Sequence, residues 1–157
     1  MAWFRNSLRG AAIAAIAAVQ FATVSAAAPP SPIEGVWLTT ALTELTIAPC
    51  RDGYCGYISK IVVPEKYGAQ IEAADPATFV DVNNKDPRLK NRPIQGLQIL
   101  TLRPTRNPQY YEGEIYNPED GNVYAGSIEV LQANLIRLKG CVLYVLCQEQ
   151  EWARVRP

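Results

Sequence analysis

The sequence predicts an all-β protein, a single antiparallel eight-stranded barrel with one long loop, and three observations predict it. Eight short segments with apolar residues and turn residues between them follow one another from Gly35 to Val155. Helical periodicity is hard to find beyond the first 26 residues. The two ends of the domain also carry matching partners, Gly35-Val36-Trp37 at the first segment and Trp152-Ala153-Arg154 at the last. A guanidinium can lie flat on an indole face, a contact that contributes about 0.5–2 kcal/mol and that lysine would supply less well. Gly35 lets the chain turn tightly into the first strand, so Gly35, Trp37 and Arg154 form a candidate latch. Without that pairing, Trp37 is one core aromatic among several and Arg154 a charge near the C-terminus.

Residues 1–26 read as a cleaved signal peptide. Arg5 and Arg9 supply a positive start, Gly10 to Val24 an Ala/Ile/Val-rich run, and Val24-Ser25-Ala26 the small residues before a cut. The run is short and Ala-rich for a membrane span of about 20 strongly apolar residues. The mature form is therefore expected to be exported, periplasmic or secreted, without an integral membrane span. It loses Arg5 and Arg9 from 15 basic residues and keeps all 15 acidic ones. A weakly acidic chain has no electrostatic claim on nucleic acid.

Residues 27–34 are Pro- and Ala-rich and read as a flexible leader, and 35–157 as one barrel domain. The expected strands are Gly35–Ala41, Thr43–Pro49, Tyr54–Val63, Leu97–Arg103, Tyr110–Asn117, Val123–Leu131, Leu135–Val142 and Glu151–Val155. Arg51-Asp52-Gly53 supplies a tight turn, Asn117-Pro118-Glu119-Asp120-Gly121 a hairpin, and Gln132-Ala133-Asn134 the next connection. Closing such a meander removes its exposed edges. The segment from Pro64 to Gly96 is far longer than a hairpin loop. Glu65–Thr78 reads as a short helix, and the remainder as a strap over an open barrel end, with Asp86 ion-paired to Arg88 or Arg92, or as a lid.

Four cysteines in an exported chain read as two disulfides, with the local pairing Cys50–Cys55 and Cys141–Cys147 favoured because each pair brackets a short turn. Zinc is disfavoured, because the spacings are C-x4-C and C-x5-C and the chain has no histidine. The same lack excludes Ser-His-Asp and Cys-His nucleophile systems, and no metal, cofactor or catalytic residue is expected. One carboxylate pair, Glu112 and Glu114, lies on one face of a strand about 7 Å apart, a separation that an inverting glycosidase could use. The opposite face, Tyr111, Gly113 and Ile115, makes the better interior, which leaves both acids in solvent.

The motifs Gly-Val-Trp at 35–37, Cys-Arg-Asp-Gly-Tyr-Cys-Gly at 50–56, Asp-Pro-Arg-Leu-Lys-Asn-Arg-Pro-Ile-Gln-Gly-Leu at 86–97, Gly-Glu-Ile-Tyr-Asn-Pro-Glu-Asp-Gly-Asn-Val-Tyr at 113–124, and Gly-Cys at 140–141 with Trp-Ala-Arg at 152–154 run in order through the chain. Together they resemble the bacterial exported family called domain of unknown function 2147. The resemblance implies a lipocalin-like, calycin-type β-barrel. It supplies no substrate, cofactor or catalytic residue.

Alternation then places Tyr111, Ile115, Tyr124, Ile128, Ile136 and Leu138 inside, as a candidate ligand-binding lining. Tyrosines give a cavity an apolar wall with a polar handle. The expected partner is a small apolar or amphipathic molecule held without catalysis. Two alternatives stand beside it: a filled barrel that docks envelope proteins through the long segment, and a carboxylate-dependent hydrolase.

Overall fold

The computed structural model describes residues 29–61, 75, 78–142 and 145–157. The expected signal peptide, most of the helix expected in Glu65–Thr78, and Tyr144 lie outside the described residues. The eight strands are β1 (Gly35–Leu38), β2 (Thr43–Cys50), β3 (Gly53–Ile61), β4 (Gln98–Pro104), β5 (Tyr110–Asn117), β6 (Asn122–Gln132), β7 (Leu135–Val142) and β8 (Leu146–Arg156). Each pairs antiparallel with the next, and β8 returns to β1 to close the barrel.

Period-two alternation decides what faces in. On β7, Ile136 and Leu138 are buried, while Arg137 and Lys139 between them point out. The outer side chains pair across strands: Arg137 meets Glu129 of β6 at 3.2 Å and Glu151 of β8 at 2.9 Å, and Lys139 meets Glu149 at 3.3 Å. Such exposed pairs are worth little singly. They do set which face of β8 turns outward.

β8 is the largest departure from the expected boundaries, since it begins at Leu146 and not at Glu151. Its first half, Cys147-Gln148-Glu149-Gln150, carries no apolar alternation, because Glu149 pairs outside and Gln148 and Gln150 face a wet cavity. β1 is shorter than expected. Leu42, at φ 58, helps to turn the chain after Leu38.

The core fills one end of the barrel. Trp37, Leu45, Ile47, Leu100, Leu102, Ile128 and Ile136 are fully buried there, and Tyr54 meets Tyr111 edge to face at 5.5 Å between ring centres. The leader expected to be flexible over 27–34 is packed from Ser31 onward. Ile33 is 0% exposed, and the Ser31 and Tyr111 hydroxyls share a hydrogen bond of 2.7 Å. One apolar side chain among prolines and alanines gives no periodicity, yet Ile33 plugs the barrel floor.

Cys50 bonds Cys55 across the β2–β3 turn, and Cys141 bonds Cys147 between directly paired residues of β7 and β8. Loops this short restrict the unfolded chain modestly. Replacing either pair by serine should lower stability by about 2 kcal/mol, read as a shift in urea midpoint at unchanged slope.

Candidate ligand-binding site

The barrel is packed at one end and open at the other. The packed end is sealed by the chain termini. Arg154 of β8 lies over the Trp37 ring, with its guanidinium carbon 4.2 Å from the ring centre. It donates through Nη2 to the Pro32 carbonyl at 2.6 Å, through Nε to the Ala133 carbonyl at 2.8 Å, and through Nη1 to the Glu34 carbonyl. Trp37 Nε1 donates in turn to the Ile33 carbonyl at 2.8 Å. Gly35 sits at φ 123, and a Cβ there would stand 2.5 Å from Arg154 Nη1, so the guanidinium occupies space that only glycine leaves.

Above the packed layer opens a cavity of ≈ 980 Å³. Leu45, Ile58, Ile99, Ile115, Leu138 and Trp152 form its apolar wall, and Tyr116, Tyr124, Gln148 and Gln150 supply polar atoms. Its rim is built from the β1–β2 turn, the β5–β6 hairpin and the tip of β7–β8. At that tip Val145 is 76% and Leu146 71% exposed, so this side of the entrance is apolar.

Of the six side chains expected to line a ligand site, Ile115, Tyr124 and Leu138 border the cavity. Tyr111, Ile128 and Ile136 face inward too, but they lie in the packed layer. Alternation along a strand reports direction and not height along the barrel axis. The filled-barrel alternative therefore describes one end alone. Gln148 and Gln150 escaped the sequence reading because they alternate on a stretch too polar to read as a strand, whereas Trp152 belongs to the expected last strand but not to the expected lining.

Among the described residues that border the cavity, only Glu119 and Asp120 carry charge. Both belong to the β5–β6 hairpin, where Gly121 at φ 70 closes the turn and its amide donates to the Asn117 carbonyl at 2.8 Å. The Tyr124 hydroxyl donates to Asp120 Oδ2, and the Asn122 amide to Oδ1 at 2.9 Å. The tyrosine hydrogen bond is the main reason that the Asp120 carboxyl is held below its usual range. Glu112 and Glu114 are exposed on the outer face of β5, away from the cavity.

The long connection between β3 and β4 is tied down beside the mouth. Asp86 caps a 3-10 turn, Pro87–Leu89, and pairs with Arg88 at 2.6 Å. Arg92 goes elsewhere, to Asp81, at 2.8 Å. Asp81 is fully buried and also accepts from Asn84 Nδ2 at 2.8 Å and from the Tyr116 hydroxyl of β5 at 2.7 Å, while Arg92 stacks 5.0 Å from the Tyr116 ring centre. Asn83 Nδ2 donates to the Glu119 carbonyl at 2.9 Å. A strap made this way fixes the hairpin that carries Asp120.

The family model described as "uncharacterized protein conserved in bacteria", DUF2147, matches residues 35–154. The chain belongs to this family. No curated protein sequence is similar to the DUF2147 chain. Among solved structures it is similar to one from the human pathogen Helicobacter pylori, protein HP1028, whose title places that protein in the lipocalin family, at 16% identity with a TM-score of 0.64, covering 78% of this chain and 82% of that one. At this identity the likeness concerns the fold: a closed lipocalin-like barrel. No helix among the described residues is long and apolar enough to cross a membrane.

Proposed function

We propose that this DUF2147 protein is an exported, non-enzymatic carrier that binds one small apolar or amphipathic molecule in the mouth cavity. The observation that carries the reading is a barrel packed at one end only, which leaves ≈ 980 Å³ of apolar-walled space with a few polar handles, the usual make-up of a small-molecule site. Both disulfides and the signal-peptide pattern agree with an oxidising compartment. The apolar tip of β7–β8 gives a hydrophobic guest a way in. The lipocalin likeness of the fold agrees with the same use.

Native mass spectrometry of protein purified gently from the periplasm tests the reading. A stoichiometric small-molecule adduct is expected, and a bare polypeptide mass that stays bare after incubation with a lipid extract would sink it. Ile115→Trp and Leu138→Trp each push an indole into the cavity. Each should abolish the adduct, at a stability cost of about 1–3 kcal/mol from overpacking. Equal occupancy in both variants would place the ligand elsewhere.

A further inference from the structure

Resting on that reading, we infer that the cavity selects an apolar chain ending in an uncharged carbonyl-type acceptor, held by the side-chain amide of Gln150, and disfavours an anionic head. Gln150 borders the cavity from β8. Its Oε1 accepts from Trp152 Nε1 at 3.0 Å and from Thr40 Oγ1 at 3.0 Å. An indole N–H only donates, so the atom facing Trp152 must be the carbonyl oxygen. Turning the amide over would set N–H against N–H.

Two donors on one oxygen use both of its lone pairs, and the Nε2 hydrogens have no partner among the described residues. Trp152 is only 3% exposed and is paired to Ile136 in the packed layer, so the post that orients the amide is rigid. Leu45, Leu138 and the Trp152 ring make up the neighbouring wall. Gln150 is itself exposed at the open cavity, so its amide gains from being held in one orientation beside an apolar wall and not from exclusion of water.

Charge supplies the second half of the selection. A carboxylate or phosphate could also accept from Gln150, but on its way in it meets Glu119 and Asp120 and no cationic side chain among the described lining. Lys85 acts on Asp120 but does not border the cavity. An ester or ketone keeps the acceptor and carries no charge to be repelled.

The test is displacement of the uncharged dye Nile red from the full-length mature protein by methyl dodecanoate, dodecanoate and dodecane. The ester is expected to compete best. Gln150→Leu should weaken the ester about three- to tenfold, the worth of one neutral hydrogen bond, and leave dodecane unchanged. Gln150→Glu keeps an oxygen for Trp152 and Thr40, guarding against misfolding as the cause, and should weaken the ester at least as much. Glu119→Gln with Asp120→Asn should strengthen dodecanoate alone. Dodecanoate binding as tightly as the ester, or Gln150→Leu weakening ester and dodecane equally, would overturn this inference while leaving the carrier standing. If neither dye nor any of the three compounds binds, the carrier reading fails and this inference with it.

Discussion

Trp37→Ala should destabilise the barrel by about 3–5 kcal/mol, the range for removing a buried aromatic from a packed core. Three losses coincide there. The fully buried indole vacates the floor beside Ile33, the Ile33 carbonyl loses its donor, and Arg154 loses the ring that it covers. Arg154→Ala should cost less, about 2 kcal/mol, since the carbonyls of Pro32 and Ala133 belong to exposed residues and can turn to water. Arg154→Lys keeps the charge but cannot reach three carbonyls in one plane. Urea midpoints measure each loss, provided the slope is unchanged. The decisive comparison is the Trp37→Ala, Arg154→Ala double variant. A latch acting as a unit shows a coupling of about 0.5–2 kcal/mol; strictly additive costs would reduce Trp37 to one core aromatic among several.

The contact of Arg154 with Trp37 left a trace in the sequence because tryptophan is rare in this chain, three residues in all, and Trp37 and Trp152 mark the two ends of the domain. The strands were legible where one face meets the core and the other meets water, as at Tyr111-Glu112 of β5, Ile128-Glu129-Val130 of β6 and Ile136-Arg137-Leu138 of β7. Where both faces are wet, the signal disappears. Residues 146–150 belong to β8 because ion pairs hold one face and the cavity takes the other, and neither fact leaves an apolar period. The cavity itself was illegible for a geometric reason, since Tyr111 and Ile115 share a face of β5 and only the second reaches the open end. The Asp81 site joins residues up to 35 positions apart. Its trace in sequence was a cluster, Asp81-Val82-Asn83-Asn84, with polar side chains in a long connection, which reads equally well as solvated loop.

Arg92→Ala should loosen the strap by about 3 kcal/mol, because it leaves Asp81 charged, buried and short of its counter-ion; the lower end of the usual range applies, since the Arg92 side chain is 33% exposed. The loss is local, so it is best read by hydrogen exchange at the amides of Asp81 and Ile94, which donate to the carbonyls of Arg92 and Phe79. Acid should produce the same loosening in the parent protein. Burial pushes the Asp81 carboxyl up, but hydrogen bonds from Tyr116, Asn84 and Arg92, with the charge of Arg92, outweigh it and hold the group below the ordinary value of 3.8. A depressed carboxyl contributes stability that is fully present above 3.8 and is lost as the pH falls through its lower folded value. Protection of the strap, referred to β6 amides at each pH, should therefore drop below pH 3.8. In Asp81→Asn the drop should be absent and the strap loose throughout, because the new amide turns donors toward Asn84 and Arg92. Because the strap holds the β5–β6 hairpin through Asn83 and Tyr116, Arg92→Ala should also shift ligand affinity at neutral pH. Unchanged affinity in a variant with exposed strap amides would separate the strap from the cavity, and leave the hairpin to hold Asp120 through its own turn.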